Sequence, residues 1–208
     1  MKFAVLPAAG KSRRMGRPKL ALPLGDRTIL EHVIAALRQA EVEHILVVVG
    51  HHVPELATLA GRAGAHVYLL AEETTGMRAT VEHGLRWLEQ QYAPRPDDFW
   101  LLVPADNPTL APQVVRQLGQ AQSTHRGPSI FVPTYEGRRG HPVLLAWKHV
   151  EGIRRHAPDQ GLNTYVRHRI AETLEVAVPD PGVLCDLDTP EAYDDLLRRW
   201  PKRTPTEG

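Results

Sequence analysis

The 208-residue sequence predicts an α/β fold with a mostly parallel central sheet covered by helices. Three observations carry that expectation. Short apolar or β-branched runs alternate with segments of helical period. Some runs, such as "HILVVVG" at 44–50, are apolar without interruption, as strands buried on both faces are. Residues with chemical potential recur just beyond such runs, at the strand ends where open parallel sheets bind ligands.

Taken in order, "KFAVLP" is the first strand, followed by the basic loop "PAAGKSRRMGRPK" at 7–19. "TILEHVIAALRQA" sets Ile29, Val33, Ala36 and Leu37 on one helical face, with Thr28 as cap and Glu31 three residues on. The second strand is "HILVVVG", "VPELATLAGRAG" returns as a helix, and "AHVYLL" is the third strand. A helix from about Gly76 to Gln91 ends at "APRPDD", whose prolines and aspartates cannot continue it. "FWLLVPADNP" is a buried strand ending in a carboxylate, and "QVVRQLGQA" a helix. "SIFVP" and "HPVLLAW" read as strands, with "GRRGHP" as the hairpin turn between them. "GLNTYVRHR" reads as helix, "ETLEVAVP" as strand and "TPEAYDDLLRRW" as the closing helix, capped by Thr189 with Pro190 and Glu191 in its first turn.

Length and a 42% hydrophobic content fit one domain, expected over 1–200 with a polar tail at 201–208. Lys plus Arg number 25 against 24 Asp plus Glu, so no global field exists to hold nucleic acid or an anionic membrane. Any anion site must be local. The single cysteine, Cys185, fits a reducing compartment, and "MKFAVLPAAG" is too short an apolar stretch for a signal peptide or a span. A cytoplasmic location is expected.

The loop after the first strand offers small residues that let backbone N–H groups approach oxygens, then Arg14 and Lys19 as counter-charge. It fits neither the Walker loop nor the dinucleotide fingerprint, and composition leaves a phosphate loop and a solvated basic turn both open. Asp106 in "VPADNP" could hold a divalent cation opposite that loop, or serve as an ordinary loop carboxylate. In "CDLDTP", Asp186 and Asp188 lie on one side of an extended segment. Asp186 is the freer for metal binding, and Asp188 is expected to help Thr189 cap the final helix. His51 and His52 have no further donor at a zinc-like spacing and read as loop residues.

"PAAGKSRRMGRPK" resembles the nucleotidyltransferase signature A-A-G-x-S-x-R-M-G-x-x-K at Ala8, Ala9, Gly10, Ser12, Arg14, Met15, Gly16 and Lys19. "TTGMRATVEHGL" is similar to the family element G-M-x-x-S-x-x-x-G-L, "PADNP" stands at its G-D-x-P, and "CDLDTPEAYDDL" resembles its D-x-D-T-P-E-D-Y ending. The chain thus resembles, over nearly its whole length, the molybdenum-cofactor nucleotidyltransferase-like proteins, and most of all their cytidylyltransferase branch. That resemblance implies a three-layer Rossmann-like α/β domain. It further implies that Arg14 and Lys19 act in catalysis by gripping a triphosphate, and that Ala8, Ala9, Gly10, Gly76, Thr80 and Asp106 surround the nucleotide. Asp106 and Asp186 would share Mg2+. Ala8–Ala9 matches the cytidylyl branch, so CTP is favoured over GTP. On the acceptor side His141 and Asn163 are implied, and "DQGLNTYVRH" carries Leu162 and Asn163 where that branch often has G-A-R. The implied reaction moves CMP to a phosphorylated acceptor such as molybdopterin. The alternatives are a sugar- or alditol-phosphate nucleotidyltransferase, or a nucleotide-binding, chaperone-like protein of the same fold.

Overall fold

The computed structural model describes residues 3–157 and 160–201. β1 (Phe3–Ala8) runs into the basic loop, whose Arg13–Met15 and Lys19–Ala21 form short 3-10 turns. A two-stranded ribbon, β2 (Pro23–Leu24) and β3 (Arg27–Thr28), leads into α1 (Ile29–Gln39). The capping box expected there is present. Thr28 Oγ1 accepts from the Glu31 N–H at 3.3 Å, and Glu31 Oε2 accepts from the Thr28 N–H at 2.7 Å. Next come β4 (His44–Val49), α2 (Glu55–Arg62), β5 (His66–Leu69), α3 (Met77–Tyr92), β6 (Phe99–Leu102) and α4 (Pro112–Thr124). β7 (Ile130–Tyr135), β8 (Arg138–Arg139), β9 (Val143–Ala146), α5 (His149–Arg155), α6 (Leu162–Arg167), β10 (Thr173–Ala177) and α7 (Pro190–Arg199) complete the order.

The main sheet runs β10-β7-β9-β6-β1-β4-β5, with β8 pairing β7 at its end. β5, β4, β1 and β6 are mutually parallel, as are β7 and β10, while β9 runs antiparallel between β6 and β7. A mostly parallel sheet is therefore present, with β9 reversed inside it.

Strand alternation sorts the apolar runs onto two faces. Ala4, Leu6, Val47, Val49, Leu101, Phe131 and Leu144 pack under α1, α2 and α4 on one side. Phe3, Val5, Leu46, Val48, Trp100 and Leu145 pack under α3, α5 and α6 on the other. Three layers result. At Gly84 of α3 an added Cβ would lie 2.8 Å from Val48 Cγ2 and 3.1 Å from Val5 Cγ1, so the helix sits on β1 and β4 with no room for a side chain.

Two local expectations change. The tight turn falls at Glu136–Gly137, both at positive φ, between β7 and β8. "GRRGHP" instead carries the chain out of that hairpin and on to β9. α5, absent from the sequence expectation, is a short helix whose buried Ile153 and Val150 join the second face. Of the expected tail at 201–208, all but Pro201 lies outside the described residues. No described helix is long and apolar enough to cross a membrane.

Candidate active site

The parallel strands deliver their carboxyl ends to one edge, and there the small residues after β1 meet the first turn of α3. A cleft of ≈ 410 Å³ opens between them. Its walls include Ala8, Ala9, Gly10, Lys19, Gly76, Thr80 and Asp106. Ala8 is buried and Gly10 exposed, so the chain surfaces as it enters the cleft. Thr80 is 2% exposed, and its hydroxyl is spent within the wall, 3.2 Å from the Gly76 carbonyl and 2.7 Å from Thr74 Oγ1. It shapes the wall and holds the Thr74–Gly76 loop against α3. Lys11 and Glu73 pair at 2.8 Å, joining the two loops that flank the opening.

Lys19 is the electrostatic centre. Its Nζ donates to Asp106 Oδ2 at 2.5 Å, to Asp188 Oδ1 at 3.0 Å and to the Leu187 carbonyl at 3.0 Å. Burial alone would lower this ammonium, but the Asp106 and Asp188 carboxylates outweigh it and hold it above its ordinary value. Arg14 lies outside the cleft wall on an exposed loop, and its guanidinium donates to Asp188 Oδ2. The loop thus points two of its cations, Lys19 and Arg14, at carboxylates that arrive from elsewhere in the chain.

Asp106, Asp186 and Asp188 each offer an oxygen, all within 4.8 Å of one another. Three unit charges so close repel by on the order of 3 kcal/mol per pair at an effective dielectric near 20. Their protonation reflects the conflict. Desolvation, then the neighbouring Asp188 and Asp106 charges, push Asp186 up. Desolvation acts the same way on Asp188, yet Lys19 and Arg14 more than offset it and hold that carboxyl below its usual range. A set of carboxylate oxygens suits a hard divalent cation such as Mg2+ or Mn2+, and these residues fit one. Among the described residues this is the one cluster of three or more His, Cys, Asp or Glu side chains close enough to share an ion. His51 and His52 stand exposed on the loop after β4.

Asp188 departs from the capping role expected of it. Thr189 alone caps α7, its Oγ1 accepting from the Ala192 N–H at 3.2 Å, while Asp188 turns toward Lys19 and Arg14. The two-residue spacing from Asp186 was the available signal, because side chains two apart on extended chain share a side. Asn107 had no such signal. It is 1% exposed, donates from Nδ2 to the Gly182 carbonyl at 2.9 Å, and accepts at Oδ1 from Thr109 Oγ1 at 2.9 Å. That latch ties the Asp106 loop to the 3-10 turn Pro181–Leu184, which feeds directly into Asp186. Cys185, half-buried beside this cluster, has its thiol pushed up by burial, which disfavours a nucleophilic thiolate.

His141 and Asn163 lie apart from the main cleft and share a second, smaller cavity of ≈ 110 Å³. Val143 faces Leu102 in the sheet, so His141 reaches the same edge as Asp106 one strand over. Burial pushes the His141 imidazole down, and the Asp106 charge opposes this.

Comparison with known proteins identifies the family. The MobA-like NTP transferase domain matches residues 4–176. Over 95% of this chain and 96% of its own length, the purine catabolism protein PucB of Bacillus subtilis is 31% identical. The molybdenum cofactor cytidylyltransferase of Escherichia coli is 23% identical over 94% of this chain and 95% of its own. Rv0371c of Mycobacterium tuberculosis, whose structure has also been solved in complex with manganese, superposes with a TM-score of 0.79 at 26% identity, covering 94% of this chain and 96% of its own. With that family matching residues 4–176 and a 31% identical relative covered over 96% of its length, the chain belongs to the MobA-like NTP transferase family and is a nucleotidyltransferase.

Proposed function

We propose that this nucleotidyltransferase moves CMP from CTP to a phosphorylated acceptor such as molybdopterin, with Mg2+ as cofactor and pyrophosphate as the second product. The observation that carries the reading is the placement of Lys19, shared between Asp106 and Asp188 on the wall of the main cleft. An ammonium held there stands at the cleft wall where phosphate oxygens would arrive, and it must release one of its three acceptors to donate to them. Preference for CTP over GTP rests on Ala8–Ala9, together with likeness to a relative named a cytidylyltransferase.

In this mechanism an acceptor oxygen attacks the α-phosphorus in line. A new P–O bond forms as the bond from the α-phosphorus to the bridging oxygen breaks, and that electron pair leaves on pyrophosphate. Little covalent work falls to the protein, so positioning and charge stabilisation dominate. Arg14 offers a planar fork for two phosphate oxygens and Lys19 a point charge, which makes them non-interchangeable. Backbone from Ala8 to Gly10 approaches the nucleotide closely, and Gly76 with the Thr80 wall closes the opposite side. A divalent cation held by Asp106 and Asp186, with Asp188 now added to that set, would supply charge neutralisation on the phosphates. His141 and Asn163 line the acceptor side. An ionised acceptor phosphate needs no general base. Reducing conditions and residues 1–200 acting as one domain complete the reading.

The test is a panel of four NTPs, with and without Mg2+, scored by protection against heat unfolding and by pyrophosphate release. CTP with Mg2+ should protect most, by mass action on the native state. Lys19→Ala and Asp106→Ala should each lower turnover by ~100-fold or more. Normal pyrophosphate release from both purified variants would refute the assignment.

A further inference from the structure

Asp188 touches both of the side chains assigned to the triphosphate. Its Oδ2 accepts from the Arg14 guanidinium and its Oδ1 from Lys19 Nζ at 3.0 Å, so one carboxylate engages the two cations together. Lys19 has no donor left over. An ammonium carries three N–H groups, and Asp106, Asp188 and the Leu187 carbonyl take all three. Charge points the same way. Asp106, Asp186 and Asp188 set three negative charges against the two positive charges of Lys19 and Arg14, which leaves the group one negative charge in excess and repels a polyanion. Lys11 and Glu73, the pair across the opening, cancel each other.

We infer that Asp188 is a positioning residue that makes triphosphate binding conditional on a divalent cation, because without one its carboxylate stands in for phosphate on Arg14 and Lys19. With a divalent ion among the three carboxylates the local balance moves from one negative charge to one positive. A like charge beside Lys19 also weakens the hold of that ammonium on Asp188, which leaves both cations free to donate to phosphate oxygens. Asp188 is placed for such an exchange. Its side chain is 31% exposed, and it lies between the Lys19 ammonium on the cleft wall and the Arg14 guanidinium on the exposed loop outside it. Asp186 offers the contrast. It belongs to the same cluster, yet among the described residues it makes no hydrogen bond or ion pair with Lys19 or Arg14. The inference rests on the triphosphate reading of Arg14 and Lys19 proposed above, and it adds the order in which that site fills.

The test titrates inorganic triphosphate, which has no base and undergoes no transfer, into the protein in EDTA, followed by calorimetry. Asp188→Asn should bind it at least about tenfold more tightly than the parent, the contribution of one charge-assisted hydrogen bond, and Asp188→Ala should repeat the gain. Asp186→Asn removes the same charge but leaves Arg14 and Lys19 held, so its gain should stay at about threefold or less. Asp188→Asn should also bind Mn2+ more weakly than the parent. One substitution then moves the two ligands in opposite directions, which a loosened fold does not do. Equal triphosphate binding by the parent and both Asp188 variants, an equal gain in Asp186→Asn, or undiminished Mn2+ binding by Asp188→Asn would overturn the inference. Failure of CTP with Mg2+ to protect the parent would remove the nucleotide reading instead, and the titration in EDTA uses neither base nor metal, so the two failures are separable.

Discussion

Lys19→Met should make the carboxylate cluster bind Mn2+ more tightly while crippling nucleotide transfer. In the structure the Lys19 ammonium already serves as counter-ion to the carboxylates that would hold a cation, at 2.5 Å from Asp106 and 3.0 Å from Asp188. A metal must compete with it. Hydrogen bonds to charged groups contribute about 1.5–3 kcal/mol each in proteins. Lys19 is mostly buried, with 15% of its side chain exposed, but the Asp188 side chain is 31% exposed, and solvent screens part of that pair. A net competition of about 2 kcal/mol follows, equivalent to roughly 30-fold in Kd. The residual cation, Arg14, has a 68% exposed side chain and is screened by salt, so it cannot take over Lys19's role. The assay is a Mn2+ titration followed by electron paramagnetic resonance, without nucleotide, on the parent and on Lys19→Met. Tighter binding by one to two orders of magnitude is expected for the variant. Unchanged or weaker Mn2+ binding would show that Lys19 and the metal do not compete for these oxygens, and the electrostatic account of the site would fail.

Three further outcomes follow from the same geometry. Asn107→Ala should cost about 1–3 kcal/mol of stability, because the Gly182 carbonyl and the Thr109 hydroxyl lose a buried partner, and should weaken Mn2+ binding several-fold as the Asp106 and Asp186 segments part. Chemical denaturation and the same Mn2+ titration read both. His149, 3% exposed and bonded to Ser129 Oγ and Tyr165 OH, has its pKa lowered from 6.5 to about 4 by burial. The unfolded chain therefore binds this proton first as pH falls, so its contribution is intact above about pH 6.5 and is lost progressively down to about 4, amounting to about 3 kcal/mol. Urea unfolding of the parent and of His149→Gln across that window should show a shallower pH dependence in the variant, and equal slopes would refute the assignment. Gly84→Ala should destabilise by about 1–3 kcal/mol through overpacking against Val48 and Val5, lowering Tm by roughly 2–4 °C per kcal/mol in a chain of this size. An unchanged Tm would mean α3 can lift off the sheet at little cost.

The order of strands and helices was legible in the sequence because most elements are signalled locally. "HILVVVG" is buried on both faces, and the Thr28–Glu31 box and Thr189–Pro190 start form as their spacing predicts. α5 was not legible. It is short, lacks a capping side chain, and contains Gly152 because the Tyr165 ring of α6 packs against that spot. Nor could composition place the hairpin turn, which the chain makes at Glu136–Gly137 in preference to the glycine-flanked arginines that follow.

At the site, residue types and their registers marked the segments that the fold brings together: small residues, then Arg14 and Lys19, then carboxylates beyond apolar strands. Pairing was beyond reach of the sequence. Asp188 looks like a helix cap when read locally, since a carboxylate beside Thr-Pro-Glu has that use anywhere. Only the parallel sheet, by bringing the ends of β1 and β6 to one edge, and the Asn107 latch, by drawing in the segment before α7, set Asp188 against Lys19 and Arg14. Local propensity acts over a few residues and can be read from them, whereas a carboxylate's partner is decided by which distant loops the packed core brings within a few ångströms.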